Sequence, residues 1–340
     1  MYPELLRSSI ELFPAGESIS GDDLVPFFDE LMQATDENLL SHVMTSWTRR
    51  GISEDELFGL ASLMRSRCTP VTSPYETFVD AVGTGGSKVK TFNVSTAAAF
   101  VIAGAGVPVA KHGNRAASSN SGSADVLSEL AIEPAVSAET AERCLAEIGI
   151  CFMFAPNFHR LSPVLGSVRR RLGFPTVFNM LGPLCNPAGA PHQVIGVWDE
   201  ALIDIAARVI SRLGTKHSWV VHGTDGLDEI TLSAKTSVAE IRDSTITMKT
   251  VEPADFDLSR RDLGSMRASS PSESAAMVRS VLTNTADLPE ATDLVLINAA
   301  SAIHIATGNN LEDSTAMARE SIESGAAADK LRKLGELTKK

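Results

Sequence analysis

From about Glu4 to Arg67 the apolar residues return every three or four positions. Leu24, Phe27, Phe28 and Leu31 fall on one helical face, as do Leu39, Val43 and Trp47. In "ISGDDL" and "GISEDEL" a serine, Ser20 or Ser53, precedes an acidic first turn, the pattern of a helix N-cap. Gly51 separates two such helices. This stretch predicts an all-helical region.

After "RCTPVTSP" the texture changes. Short β-branched or apolar runs alternate with glycine turns and helical stretches: "FVDAVG", "AAAFVIAGAG", "VPVAKHGN", "HQVIGVW", "SWVVHG" and, near the end, "DLVLINAA". Strands alternating with helices predict a mostly parallel central sheet flanked by helices, an α/β unit. "HRLSPVLGSVRRRLG" has helical spacing, and "TVFNMLGPLCNPAG" begins as a helix and ends in a turn. "EDSTAMARESIESGAAADKLRKLGEL" reads as one amphipathic closing helix. There are no internal repeats and no low-complexity tract.

Composition narrows the functional classes. Of 340 residues, 44% are hydrophobic, enough for a sizeable core. The formal net charge of −12 disfavours broad nucleic-acid binding, which needs many cations; an anion can still bind through a local patch of donors. The four cysteines, Cys68, Cys144, Cys151 and Cys185, have no C-x-x-C spacing, so neither a zinc site nor a redox pair is indicated. The N-terminus lacks a basic segment leading into an apolar one. The longest apolar run, "AAAFVIAGAGVPVA", is too short and too interrupted to span a bilayer. A soluble, cytoplasmic protein is expected, with no membrane partner.

Ligands of parallel sheets gather at the carboxyl ends of strands. Four loops are expected there: "GTGGSK", "KHGNRAASSNSGSAD", "NPAG" and "HGTDGLDE". In the first, Gly83, Gly85 and Gly86 leave backbone amides open to a ligand, as a phosphate cradle requires, although a tight turn uses the same residues. Lys88 stands where a Rossmann fingerprint needs its third glycine, and the gap is too short for a Walker loop. The second loop gathers Lys111, His112, Asn114 and Arg115 beside Ser118, Ser119, Ser121 and Ser123, a donor set suited to a polyanion. Asp228 and Glu229 are adjacent in "DGLDEI". Two carboxylates beside a phosphate site call for a hard cation such as Mg2+; an acidic turn alone would look the same.

"GTGG…TFNVSTAAAF", "VPVAKHGNRAASSNSGSADVL", "FAPNFH…VRRRLG", "FNMLGPLCNPAG" and "VHGTDGLDE" occur in an order and spacing that closely resemble the anthranilate phosphoribosyltransferases of tryptophan biosynthesis. The resemblance runs over essentially the whole chain. It implies a small helical domain, residues 1–70, with helices from about 160–186 packing on it. The large α/β domain would comprise 71–159 and 187–340, with the active site between the two and a homodimer formed through the helices. Phosphoribosyl pyrophosphate would bind through Gly83, Gly86, Ser87, Thr91, Asn93, Ser95, Thr96 and Lys111. Asn114, Arg115, Ala116, Ala117, Ser118, Ser119 and Ser123 would complete that set. Gly83, His112, Asn114, His159 and Arg169 would meet anthranilate, with the "GPLCNP" turn beside the histidines. Ser95, Asp228 and Glu229 match the ligands of one or two Mg2+ ions, and no catalytic base is implied.

The chain also departs from that family's pattern. Ser87 and Lys88 stand where Asp-Gly is common, Asn120 where a lysine is common, and Arg160 where a proline is common. The first change removes a carboxylate near the pyrophosphate and adds a cation, so Lys88 is expected to compensate in part. The implied reaction is transfer of phosphoribose to the anthranilate amine. Its rivals are a pyrimidine nucleoside phosphorylase-like pentosyl transfer and a non-catalytic homologue that binds nucleic acid.

Overall fold

In the computed structural model, which describes residues 4–116 and 121–339, β1 (Val79–Gly83), β2 (Val109–Gly113), β3 (Ile150–Phe154), β4 (His192–Gly196) and β5 (His217–Gly223) run parallel. A hairpin, β6 (Thr236–Arg242) and β7 (Thr245–Val251), extends β5 antiparallel. The order is β3-β2-β1-β4-β5-β6-β7. Asp243 and Ser244 join the hairpin with φ of 48° and 66°, the positive pair that suits a two-residue hairpin turn. Chain order reverses between β1 and β4, so the loops after these strands part there and leave a crevice at their carboxyl ends.

Alternate residues of each strand face opposite sides of the sheet. Val194, Trp219 and Val221 join one core, filled by the helices Val94–Gly104, Pro271–Leu282 and Pro289–Thr307. Ile195, Val220 and Ala239 join the other, with Ile203, Ala206 and Ile210 of Ile203–Arg212. That second core continues into the N-terminal helices Glu4–Leu12, Leu24–Gln33, Glu37–Arg50 and Glu54–Arg67. Pro163–Leu172 and Val177–Leu184 pack on these helices through Leu165, Val168, Phe178 and Leu181. At the centre Phe13 stacks on Trp47, centroids 5.5 Å apart, and Phe27 meets both edge-on.

Several expectations need correction. "AAAFVIAG" and "DLVLINAA" are helical, within Val94–Gly104 and Pro289–Thr307. Both are buried nearly all round, so a continuous apolar run carries no period to distinguish strand from helix. β3 and the β6–β7 hairpin are additions to the expected strands. Ser53 forms a capping box with Glu56, but Ser20 sits a turn before Leu24–Gln33, its hydroxyl donating to Asp23 at 2.6 Å. The closing segment is two helices, Leu311–Glu323 and Ala326–Thr338, broken at Gly325, whose φ is +78°. "NPAG" follows a helix rather than a strand. Among the described residues no helix is long and apolar enough to cross a membrane.

Candidate active site

A cavity of about 270 Å³ opens at the carboxyl ends of β1, β2 and β4, between the sheet and the helices Pro163–Leu172 and Val177–Leu184. Its floor exists because side chains are missing. A Cβ on Gly196, the last residue of β4, would lie 1.7 Å from the Asp228 carbonyl oxygen, and one on Gly83 would lie 3.0 Å from Asp228 Oδ2. The segment carrying Asp228 and Glu229 therefore rests on the bare backbone of β1 and β4. Gly86, at φ +85°, faces Pro175, whose Cγ would come within 2.4 Å of an added Cβ.

Hydrogen bonds tie the β1 loop to its neighbours. Ser87 Oγ lies within hydrogen-bond reach of two carbonyls, Gly226 O at 2.7 Å and Val89 O at 2.8 Å. Asn179 Nδ2 donates to Thr84 O at 3.0 Å, while its Oδ1 accepts from Thr176 N at 3.0 Å and Arg169 Nη2 at 3.4 Å. One asparagine thus links Arg169 to the glycine loop.

Glu229 is short of partners, whereas Asp228 accepts from its own backbone amide, the Gly85 amide and the Ser87 hydroxyl. Glu229 Oε1 accepts from Ser95 N at 3.1 Å, but among the described residues its buried Oε2 has no hydrogen-bond partner. Burial, and then the charge of Asp228, push Glu229 up to about 8. Burial also raises Asp228, partly offset by its own backbone amide and by the Lys90 charge. Beneath them Lys111 Nζ donates to Ala81 O at 2.5 Å and reaches Ser95 Oγ at 3.5 Å; burial lowers its pKa, against the pull of Asp80 and Glu229. Asp80 is fully buried, raised to about 6 by burial, and accepts from Asn186 Nδ2 at 2.7 Å. A hard divalent cation suits this donor set, because Glu229 Oε2 is otherwise a buried oxygen with no hydrogen bond among the described residues.

The other wall is aromatic. His112 and His159 meet edge to face, ring centroids 5.0 Å apart. His112 Nδ1 bonds Gly182 O at 3.0 Å and His159 Nε2 bonds Cys185 O at 2.9 Å, so each ring donates its proton to a carbonyl of the "GPLC" turn. Burial lowers both pKa values, His112 to about 3, which keeps the rings neutral near pH 7. Among the described residues, buried His112 Nε2 and Arg169 Nε have no partner. Burial brings Arg169 down to about 10, still cationic, and its guanidinium lies over Phe178, 5.3 Å from the centroid.

The Glycosyl transferase family, a/b domain, matches residues 75–328. An anthranilate phosphoribosyltransferase of Moorella thermoacetica is 42% identical over 330 residues, 96% of each chain. The chain belongs to the anthranilate phosphoribosyltransferase family. Among solved structures, the anthranilate phosphoribosyltransferase of Thermus thermophilus superposes with a TM-score of 0.87 at 33% identity, over 97% of this chain and 99% of that one. The Saccharomyces cerevisiae enzyme, solved with PRPP and Mg, gives 0.87 at 28% identity over 98% of each chain. It has also been solved with 4-fluoroanthranilate, and that chain gives 0.87 at 26% identity, covering 99% of this chain and 98% of that one.

Of the residues implied by resemblance to the anthranilate phosphoribosyltransferases, Gly83, Gly86, Ser87, Thr91, Asn93 and Ser95 line the cavity from the β1 side. Lys111, His112, Asn114, Arg115, Ala116 and Ser123 line it from the β2 side. His159, Arg169, Asp228 and Glu229 complete it. Thr96 is buried, its hydroxyl without a partner among the described residues, and Ala117, Ser118, Ser119 and Asn120 lie outside those residues. Arg115 is exposed and pairs with Asp125 at 3.0 Å. Lys88 and Arg160 are exposed and outside the cavity wall; Lys90 lines it instead. Asp80, Gly196, Pro175 and Asn179 are absent from the sequence-based site, and Asn186 enters it only as part of "NPAG" and the "GPLCNP" turn. "DAVG" and "CNPAG" contain two of them, but only the folded chain shows what their side chains support.

Proposed function

We propose that this protein transfers the phosphoribosyl group of 5-phosphoribosyl 1-pyrophosphate to the amine of anthranilate, releasing pyrophosphate, as a step of tryptophan biosynthesis. The observation that carries this reading is the two-sided cavity. The glycine loop and a carboxylate pair, of which Glu229 is short of partners, occupy one side. Neutral imidazoles and a desolvated guanidinium occupy the other. The first side suits a diphosphate with a cation; the second suits a small aromatic acid.

Asp228 and Glu229, with Ser95 beside them, would hold Mg2+, in a number of one or two. When bound, Mg2+ supplies positive charge against the pyrophosphate. The Gly83–Gly86 loop and the Asn114–Ala116 segment, which line the cavity, orient the donor. Arg169 receives the acceptor carboxylate, held in place by Asn179. The His112 and His159 rings contact the aromatic face, and His112 Nε2 is an acceptor for an amine N–H. The anthranilate amine needs no strong base, since it is unprotonated near neutral pH. Its lone pair forms the N–C bond as the C–O bond to pyrophosphate breaks through an oxocarbenium-like state. That bond's electron pair leaves on the pyrophosphate oxygen, and the nitrogen then loses a proton. Positioning the amine in line supplies much of the rate.

The same reading carries a helical unit of residues 1–70 with 160–186, an α/β unit of 71–159 and 187–340, a homodimer through the helices, and a cytoplasmic location. The likeness to the family supports these, and light scattering would test the dimer by its mass. The reaction is tested by following anthranilate fluorescence with and without phosphoribosyl pyrophosphate and Mg2+. Fluorescence loss should require both; loss with neither, or none with both, overturns the assignment.

A further inference from the structure

Two lysines line the cavity, Lys90 and Lys111. Lys111 is already committed: its ammonium donates to Ala81 O, reaches Ser95 Oγ, and lies in the field of Asp80 and Glu229. Lys90 differs. It is half-buried in the wall, its charge acts on Asp228, and among the described residues its ammonium has no ion pair and no hydrogen bond. The nearby Ser87 hydroxyl is taken up by the Val89 and Gly226 carbonyls and by Asp228, and offers no anion. The backbone on either side is fixed. Lys88 Cβ and Val89 Cγ2 lie 3.9 and 4.0 Å from where a Gly226 Cβ would stand, packing this stretch on the Asp228 loop. Two residues beyond Lys90, buried Phe92 donates its N–H to Met266 O at 2.8 Å. A segment anchored at both ends, with Lys88 outside and Lys90 inside, presents one uncommitted cation to a cavity of phosphate-binding character.

We propose that Lys90 is a donor-binding residue of this protein, its ammonium contacting the pyrophosphate of phosphoribosyl pyrophosphate and adding a fixed positive charge beside Asp228 and Glu229. The inference rests on the reaction proposed above. An ammonium there answers charge on the donor in the ground state and the larger charge on the leaving group as the C–O bond breaks, so both binding and turnover feel it. It also bears part of the neutralisation that otherwise falls to Mg2+, so its removal should raise the Mg2+ requirement.

The test compares Lys90→Gln, Lys90→Arg and Lys88→Gln with the unmodified protein. Inorganic pyrophosphate binding is measured by calorimetry at several Mg2+ concentrations, and steady-state kinetics are run varying each substrate. Lys90→Gln should weaken pyrophosphate binding and raise KM for phosphoribosyl pyrophosphate, each about tenfold, the scale of one charged hydrogen bond. KM for anthranilate should move less than about twofold, because that side of the cavity is untouched. Lys90→Arg should recover most of the binding, and Lys88→Gln should change nothing. Pyrophosphate binding by Lys90→Gln equal to that of the unmodified protein overturns the inference and leaves the proposed reaction standing. An equal rise of both KM values also overturns it, pointing to a role in loop structure. Failure of the unmodified protein to bind pyrophosphate or consume anthranilate would instead sink the reaction itself.

Discussion

Glu229 and Glu240 are the same residue type only a short way apart in the chain, yet the fold treats them in opposite ways. Glu240 lies on β6 opposite Trp219, at the amino-terminal end of β5, away from the cavity. Its Oε1 accepts from Trp219 Nε1 at 3.0 Å and pairs with His217 Nε2 at 2.8 Å, while Oε2 pairs with Lys249 Nζ at 2.9 Å. Burial alone would raise Glu240, but these three partners overcome it and bring the carboxyl down to about 2. Glu229, at the other end of the sheet, receives one backbone N–H and is pushed up to about 8. A carboxylate that fastens the sheet is saturated by the protein. Glu229, which in the proposed function would meet a cation, is left short of partners, and folding bears the cost.

That contrast can be broken most forcefully at Asp228 and Glu229. The variant Asp228→Asn with Glu229→Gln should lose activity by roughly a hundredfold to a thousandfold, several kcal/mol of charge stabilisation. It should also lose its Mg2+ dependence, while thermal unfolding at pH 8 occurs at an equal or higher temperature. A rate and Mg2+ titration matching the unmodified protein would remove the pair from the site.

Arg169→Ala comes next. Its guanidinium is buried, with Nε unpartnered, so KM for anthranilate should rise by about tenfold to a hundredfold, with kcat and the donor KM changing far less. Steady-state kinetics on both substrates read this directly; equal losses would show that the Arg169–Asn179 contact matters for loop structure rather than for the acceptor.

The opposite behaviour is expected of Glu240→Ala. It should cost about 1–3 kcal/mol of stability by loss of charged hydrogen bonds, seen in denaturant melts, with activity unchanged. An activity loss with no stability loss would reverse the roles assigned to the two ends of the sheet.

The smallest effect is the most diagnostic of sign. Glu229 has a folded pKa above its ordinary value of 4.5, so without Mg2+ it contributes stability that is present below about pH 4.5 and lost as pH rises toward 8. Asp80, raised to about 6, works in the same direction between its ordinary 3.8 and 6. Glu240 works oppositely, stabilising above 4.5 and losing that contribution as pH falls toward 2. Melting temperature against pH should therefore fall from about pH 6 to about pH 8 in the metal-free protein. Glu229→Gln should flatten that slope; a slope identical in the variant would show that Glu229 is not the titrating group.

The glycine loop, the Lys111–Ser123 donor cluster and the Asp228–Glu229 pair are readable along the chain because small residues and adjacent charges leave local signatures. Of the two lysines near the glycine loop, Lys90 rather than Lys88 lines the cavity. Which of two lysines enters a cavity depends on how Val89 and Phe92 pack against other segments, and no local pattern carries that. Asp80, Asn179 and Asn186 act through partners that lie far along the chain, so their side chains read simply as polar groups near turns.

By itself the sequence determined the helical start, the α/β texture that follows, the location of the glycine-rich and donor-rich loops and the family. These follow from period, turn chemistry and motif, all local properties. Only the tertiary structure decided that "AAAFVIAG" and "DLVLINAA" are helices, since residues buried on every side lose the alternation that marks a strand or the stripe that marks a helix. It also decided which carboxylates are satisfied. Glu229 and Glu240 differ through Ser95, Lys111, Trp219, His217 and Lys249, and a charge's environment is set by what the fold brings within a few ångströms of it.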